Sequence, residues 1–85
     1  MYTIEIRKQA KRKLLSLRPT DRLRITEAIV RLGRNPNDIR LNIKRLVGQS
    51  YWRLRVGNWR IVYDKDDILR IISIERIKPR GDAYK

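Results

Sequence analysis

The sequence contains no cysteine, no histidine and no phenylalanine. Without cysteine the chain forms no disulfide and has no thiolate nucleophile, and without histidine it lacks an imidazole base and the commonest zinc ligands. No apolar run approaches the ~18 residues of a membrane-spanning helix. The amino-terminal stretch MYTIEIRKQAKRK also lacks the apolar core of a signal peptide. We therefore expect a cytoplasmic protein that uses neither a metal nor a cofactor.

Acidic residues are scarce relative to basic ones. Nine Asp and Glu face 22 Lys and Arg, which gives a formal net charge of +13 and a pI of about 11.1. Repulsion among these charges opposes folding unless the charge serves a partner, such as nucleic acid, an anionic membrane surface or an acidic protein. Nucleic acid is the first choice at this pI. The length of 85 residues predicts one domain spanning residues 1–85.

The amino-terminal half predicts one strand and two helices. Residues 2–6 alternate apolar and polar side chains, as a half-buried strand does. Residues 7–17 carry apolar side chains at helical spacing on an otherwise basic segment, and a narrow apolar stripe of this kind favours a core-facing helix over a membrane-surface one. A second helix is expected from Thr20 or Asp21, as N-cap, to Gly33.

The carboxyl-terminal half predicts mostly strands. Residues 34–50 are interpreted as mainly a connection, whereas residues 51–63, YWRLRVGNWRIVY, alternate around a Gly57-Asn58 turn and predict a hairpin. A turn at residues 65–67 would lead into a central strand over residues 68–77. The expected class is α+β, with the amino-terminal strand and two-helix hairpin packed on one face of a mainly antiparallel, four-stranded sheet.

The hairpin contains the main candidate surface. Alternation places Arg53, Arg55 and Arg60 on one face, with Trp52 and Trp59 on the face assigned to the core. Guanidinium groups bind phosphate in a bidentate manner, so the arginine face is interpreted as a nucleic-acid surface. The alternative is that the arginines only solvate the sheet. The tryptophans are interpreted as core residues rather than as stacking platforms for bases.

Two further residues have open interpretations. Glu75 stands among Arg70, Arg76 and Lys78 in the last predicted strand and is interpreted as part of an internal ion pair. Tyr84 lies next to the last residue of the printed chain, where chain ends usually fray. It either has a function or pins the tail by packing.

The run IKRLVGQSYWRLRVGNWRIVYDKDDILRIISIERIKPRGDAYK resembles the RelE/ParE superfamily of bacterial type II toxins, and within it the RelE branch. The amino-terminal strand and helical hairpin fit the same pattern, so a RelE-like domain is implied for nearly the whole chain. The resemblance implies a toxin that cleaves mRNA in the ribosomal A site and so inhibits translation. This activity is that of a ribosome-dependent, metal-independent endoribonuclease, and a cognate antitoxin holds it inactive.

The resemblance also assigns roles to residues. In that family the ribose 2′-hydroxyl attacks the neighbouring phosphate, and the arginine in GNWRIVY matches the one associated with charge on the transition-state phosphate. Two arginines of the hairpin replace lysines of the branch, and arginine is a poor general base because it does not readily lose a proton. The catalytic candidates implied are Arg60, Lys78 and Tyr84, and the candidates for binding RNA phosphate are Arg53, Arg55 and Arg80.

Two other functions remain open at this point. A ParE-like toxin would bind and poison DNA gyrase on the same fold without being a nuclease. A catalytically silent protein would retain nucleic-acid affinity and lack proton transfer. In each case an acidic or amphipathic antitoxin segment is expected to cover the basic groove, and the leading interpretation adds the ribosome and mRNA as partners.

Overall fold

The computed structural model describes residues 1–46, 48 and 50–79, which form a two-layer α+β fold. Its sheet has the strand order β1-β5-β4-β3-β2, with β1 parallel to β5 and every other pair antiparallel. The predicted class is confirmed, but the sheet has five strands rather than four. The elements are β1 (Thr3–Ile6), α1 (Lys8–Ser16), α2 (Pro19–Arg34), β2 (Asn42–Arg45), β3 (Trp52–Val56), β4 (Trp59–Asp66) and β5 (Ile71–Pro79).

The additional strand is β2, which lies within the segment that the sequence indicated was a connection. It pairs antiparallel to β3 over its whole length, from Asn42 opposite Arg55 to Arg45 opposite Trp52. Its sequence, NIKR, has a single apolar residue, Ile43, which packs against the core. One apolar residue cannot establish an alternation, and this edge strand is specified by its partner rather than by its own pattern.

Both helices cover the same face of the sheet and bury their apolar stripes there. The core-facing interpretation of the first helix is confirmed, because Ala10 and Leu14 are buried on α1. Trp52 and Trp59 are half-buried and pack against the same core, as predicted. Of the helices described, neither is long and apolar enough to cross a membrane. The buried core comprises Ala10, Leu14, Ile25, Ile29, Leu32, Leu54, Ile61, Tyr63, Ile72, Ile74 and Ile77.

The ends of α2 differ from the prediction. The N-cap is Arg18, in an extended conformation and without a side-chain cap, and Pro19 occupies the first helical turn. Proline suits that position because its φ is already helical and no N–H is needed there. Gly33 was expected to end the helix, but it lies buried inside the last turn. A Cβ at this position would lie 3.0 Å from two side-chain carbons of Ile4, so the glycine permits close packing of α2 on β1.

The turn between β4 and β5 lies further along the chain than predicted. Strand β4 continues to Asp66, whose Oδ1 accepts hydrogen bonds from the backbone N–H groups of Ile68 and Leu69 at 3.0 and 2.9 Å. Arg70 closes the turn with φ of 60°. The apolar residues at 68 and 69 belong to this turn, where Ile68 is 92% exposed, and β5 starts at Ile71.

Candidate nucleic-acid interface

The face of the sheet opposite the helices carries two neighbouring rows of basic side chains, which we call the cationic rows. Strand register defines both, because directly opposed residues on one face have Cβ atoms roughly 4.5–5.5 Å apart. The first row runs across four strands through Asn42, Arg55, Arg60 and Lys78. The second row runs through Lys44, Arg53, Val62 and Arg76.

The first cationic row places like charges directly opposite one another. Arg55 faces Arg60 across β3 and β4, and Arg60 faces Lys78 across β4 and β5. All three side chains are half-buried, so solvent screens their repulsion less than at an open surface. Opposed like charges destabilise a sheet, and an anion lying against the row would relieve that repulsion.

Carboxylates lie at the other end of the same face, in what we call the acidic rows. Ser73 of strand β5 is flanked by Glu5 on β1 and by Asp64 on β4. In the next row Ile71 has Asp66 as its neighbour on β4. The open face is therefore polarised, with basic side chains towards the β3–β4 hairpin turn and acidic side chains towards the β4–β5 turn.

A β-bulge in β5 keeps the apolar residues on both sides of it facing the core. Val62 pairs with Arg76, whereas the next residue, Tyr63, pairs with Ile74, so Glu75 is an extra residue in β5. The bulge allows Ile74 to face the core while Arg76 remains on the open face. Glu75 forms its ion pair with Arg7, with 3.4 Å between Nε and Oε2. The predicted internal ion pair is confirmed, but its partner is Arg7 rather than a basic neighbour in the last strand, because the bulge turns this carboxylate towards the segment between β1 and α1.

The two tryptophans lie next to cations on the core side. Arg45 and Lys65 have their charged groups 5.4 and 4.9 Å from the centre of the Trp52 ring. Lys13 Nζ lies 5.6 Å from the centre of the Trp59 ring. These are cation–π distances, and they hold basic side chains against the sheet without placing an indole on the open face.

Four of the six predicted site residues come together. The cationic rows contain Arg53, Arg55, Arg60 and Lys78, and Arg53 Nη2 also contacts Asn42 Oδ1 at 3.5 Å. The remaining two candidates, Arg80 and Tyr84, lie outside the described residues.

Sequence reasoning missed two basic members of the rows, Lys44 and Arg76. Lys44 was missed because β2 was interpreted as a connection. Arg76 was missed because β5 was interpreted as covered on both faces, although the alternation of Arg76 with Ile77 was a usable signal. The structure adds both side chains to the same surface.

Other chemistry is limited in the described part of the chain. No group of three or more acidic side chains there is arranged to hold a metal ion. Tyr63 is buried on the core side, and this burial raises the pKa of its phenol, so it is poorly suited to exchange protons with a ligand on the open face. Its charge and the planar donors of its arginines suit this surface to anions.

Comparisons with known proteins show which family this chain belongs to. The family model described as "ParE toxin of type II toxin-antitoxin system, parDE" matches residues 4–84. A curated relative from Methanocaldococcus jannaschii, named toxin RelE1, is 36% identical over 88 residues, covering 99% of this chain and 96% of the relative. The chain belongs to the RelE/ParE superfamily, in its RelE branch. It is therefore a toxin of the type II toxin–antitoxin class.

Solved RelE structures have the same fold as this RelE-branch toxin. The archaeal RelE–RelB complex from Pyrococcus horikoshii OT3 contains a chain with a TM-score of 0.83 and 28% identity, covering 94% of this chain and 96% of its own. The RelB–RelE complex from Methanococcus jannaschii gives a TM-score of 0.77 at 26% identity, with 94% coverage of both chains. The isolated Escherichia coli RelE toxin, at 17% identity and a TM-score of 0.78, shares the fold, covering 99% of this chain and 92% of its own.

Proposed function

We propose that this RelE-branch toxin is a ribosome-dependent endoribonuclease that cleaves mRNA in the ribosomal A site and thereby inhibits translation. The observation that supports this most directly is the first cationic row, where Arg55, Arg60 and Lys78 oppose one another across three strands. A phosphate against this row relieves the repulsion and accepts several charge-assisted hydrogen bonds. The proposed function places the protein in the cytoplasm, with the ribosome and mRNA as partners.

In the proposed reaction the ribose 2′-hydroxyl attacks the adjacent phosphorus and the bond from phosphorus to the 5′-oxygen breaks. The 2′-hydroxyl loses its proton and the departing 5′-oxygen gains one, which leaves a 2′,3′-cyclic phosphate and a 5′-hydroxyl. Arg60, at the centre of the row, would stabilise the negative charge that develops on the phosphate. Arg53 and Arg55 would hold the flanking phosphates.

Proton transfer would rely on groups other than arginine. Lys78 lies directly opposite Arg60 and carries an ammonium group that can donate a proton to the departing oxygen. Tyr84, with Arg80 as a further phosphate ligand, is retained as a candidate from the resemblance alone. Much of the rate would come from positioning, since the ribosome aligns the RNA and the row supplies a preorganised charge.

The polarised face also suggests how the toxin is held inactive. Two of the solved relatives are RelE chains in complex with RelB. We propose that a cognate antitoxin covers the cationic rows of this chain with an acidic or amphipathic segment. Such a segment would replace the RNA phosphates as counter-charge, and ordering on binding is usual for segments of this composition.

The test is to express the wild type and Arg60→Ala from a tightly repressed promoter and to map the 5′ ends of cellular mRNA after induction. Arg12→Ala, which removes the same charge from an exposed position on α1, is the matched control. The proposal expects cuts inside translated codons with the wild type and the control, and none with Arg60→Ala. Growth arrest without such cuts would contradict it.

A ParE-like activity is the second candidate, because the matching family model is described by the ParE toxin. In this alternative the cationic rows would contact DNA gyrase or its DNA rather than mRNA. Induction would then trigger a DNA damage response and leave mRNA intact. A catalytically silent binder would give neither response, and the same expression experiment therefore separates the three functions.

A further inference from the structure

A cavity of about 250 Å³ lies at the hairpin end of the sheet, on the helix side. Its wall includes Val56, Trp59 and Pro79, which form the terminal row of the sheet beside the first cationic row. At ~30 Å³ per liquid water the volume equals roughly eight water molecules. That is room for one planar ring system and too little for a segment of folded chain.

The cavity adjoins the surface proposed to bind phosphate. Trp59 lines the cavity and its chain neighbour Arg60 occupies the centre of the first cationic row, with their Cα atoms about 3.8 Å apart. Their side chains point to opposite faces of the sheet, and the turn at Gly57 and Asn58 forms the rim between the two faces. A single strand whose phosphate lies against Arg60 can turn a neighbouring base over this rim.

Helix α2 contributes a hydrogen-bond acceptor and a set of donors to the same cavity. Asp21 and Arg24 both line it. Neither takes part in the side-chain ion pairs or hydrogen bonds found among the described residues. The guanidinium lies beside the hairpin turn, because a Cβ at Gly57 would be in ordinary van der Waals contact with Arg24 Nη1 at 3.6 Å. Asp21, Arg24 and Trp59 therefore line one space of nucleobase size.

This combination matches guanine better than the other bases. Guanine presents two adjacent donors, N1–H and the N2 amino group, which one carboxylate can accept together, and it presents O6 and N7 as a pair of acceptors for arginine. Adenine has no second donor beside its amino group. Trp59 packs against the core and gives the cavity an apolar wall, while Asp21 and Arg24 supply the choice of base.

We propose that this cavity binds a guanine base of the RNA strand whose phosphate lies on the cationic rows. Asp21 accepts hydrogen bonds from the Watson–Crick edge of the guanine, and Arg24 donates to its O6 and N7. The inference rests on the proposed function in that RNA is the ligand. It adds a site that selects the sequence next to the bound phosphate.

The test measures binding directly and needs no cleavage. The probe is a 5′-labelled pentanucleotide of uridines with one central guanosine, and its affinity for the full-length protein is measured by fluorescence anisotropy. Three analogues replace the guanosine with inosine, which lacks the N2 amino group, with 7-deazaguanosine, which lacks N7, or with adenosine. The variants are Asp21→Asn and Arg24→Met, and Glu27→Gln is the control because it removes one negative charge from an exposed position of α2 outside the cavity.

Each variant is expected to lose sensitivity to one analogue only. The wild type and Glu27→Gln should bind the guanosine probe about 5- to 150-fold more tightly than the adenosine probe, the range for a good bidentate contact. Asp21→Asn should bind the guanosine and inosine probes equally and still discriminate against 7-deazaguanosine. Arg24→Met should show the reverse pattern. Circular dichroism spectra matching the wild type would show that the variants are folded.

Equal affinity of the wild type for all four probes, or no measurable binding, would overturn the inference. Discrimination that survives unchanged in both cavity variants would overturn it as well. The proposed function fails by a different result, the absence of mRNA cuts inside codons. Guanine discrimination without cuts would therefore support the cavity and remove the nuclease.

Discussion

The two ends of the open sheet face carry opposite charge and treat that charge differently. At the β4–β5 turn two aspartates are engaged by the protein itself. Asp66 accepts two backbone N–H groups, and Asp67 accepts the Tyr2 hydroxyl at 2.6 Å and lies 3.7 Å from Lys65 Nζ. At the hairpin turn the cross-strand neighbours of the cations are mostly other cations. The acidic end is therefore expected to stabilise the fold, whereas the cationic end sacrifices stability for binding an anion.

The largest expected effect concerns binding at the cationic end. The logarithm of the binding constant for single-stranded RNA falls linearly with the logarithm of the salt concentration, with a slope of about 0.7 per phosphate contact. Replacing Arg55 and Arg60 together by Gln should lower the slope by about 1.4 and the affinity by roughly 25-fold at 0.1 M salt. Titrations of a labelled oligouridine at several salt concentrations measure both quantities. An unchanged slope would mean that RNA does not lie on these rows.

The next effect is a loss of stability at the acidic end, where β1 lies. Gly33→Ala places a methyl group 3.0 Å from Ile4. We expect the overpacking, which typically costs about 1–3 kcal/mol, to exceed the roughly 0.5–1 kcal/mol that alanine gains over glycine inside a helix. Urea unfolding should show the loss, while RNA affinity should remain at the wild-type value. A fall in RNA affinity equal to the fall in stability would contradict the division of roles between the two ends.

A smaller loss is expected from the turn. Asp66→Ala removes the acceptor for two backbone N–H groups and, like the loss of a helix cap, should cost about 0.5–1 kcal/mol. Asp66→Asn retains the accepting oxygen and should recover most of the stability, which separates the hydrogen bonds from the charge. Equal losses in the two variants would show instead that the negative charge is the important feature.

The sequence predicted the arginines at the cationic end of the sheet, and each feature that it did not predict has a physical reason. Alternation in the hairpin was enough to place Arg53, Arg55 and Arg60 together, because the side-chain period of a strand is strict. It could not reveal β2, whose NIKR sequence has one apolar residue and pairs through β3. The bulge at Glu75 and the turn held by Asp66 depend on cross-strand register and local hydrogen bonds, which no periodicity reports.

A gain of stability is expected when the opposed cations are separated. Arg55→Thr removes the charge facing Arg60 and should raise the free energy of unfolding by about 0.2–1 kcal/mol at low salt. The gain should shrink in 1 M salt, where the screening length is about 3 Å. Arg76→Thr is the matched control, since Arg76 faces Val62 and the strand propensity changes equally. Equal gains in the two variants would attribute the effect to propensity.

The smallest effect is a pH dependence at the acidic end. The hydrogen bond from Tyr2, with help from Lys65 and Arg70, lowers the pKa of Asp67, and the same bond raises the pKa of Tyr2. A lowered carboxyl pKa contributes stability above its ordinary value of about 4 and loses it as the pH falls through the folded value. A raised phenol pKa contributes below about 10 and loses it as the pH rises further.

Tyr2→Phe removes this linked pair. The decrease in the free energy of unfolding relative to the wild type should be largest between about pH 4 and pH 10, and it should become smaller in stronger acid or base. Urea unfolding at pH 2.5, 7 and 10.5 measures the three regimes. The same loss at every pH would mean that the hydroxyl acts by packing rather than through Asp67.

The most direct test of the central claim uses purified toxin and ribosomes programmed with a defined mRNA. The wild type should cut the mRNA in the A-site codon and leave a 5′-hydroxyl on the downstream fragment. Arg60→Ala should be slower by at least about 100-fold, the usual cost of removing one group that stabilises an oxyanion. Intact mRNA with the wild type, or equal cutting by Arg60→Ala, would contradict the account.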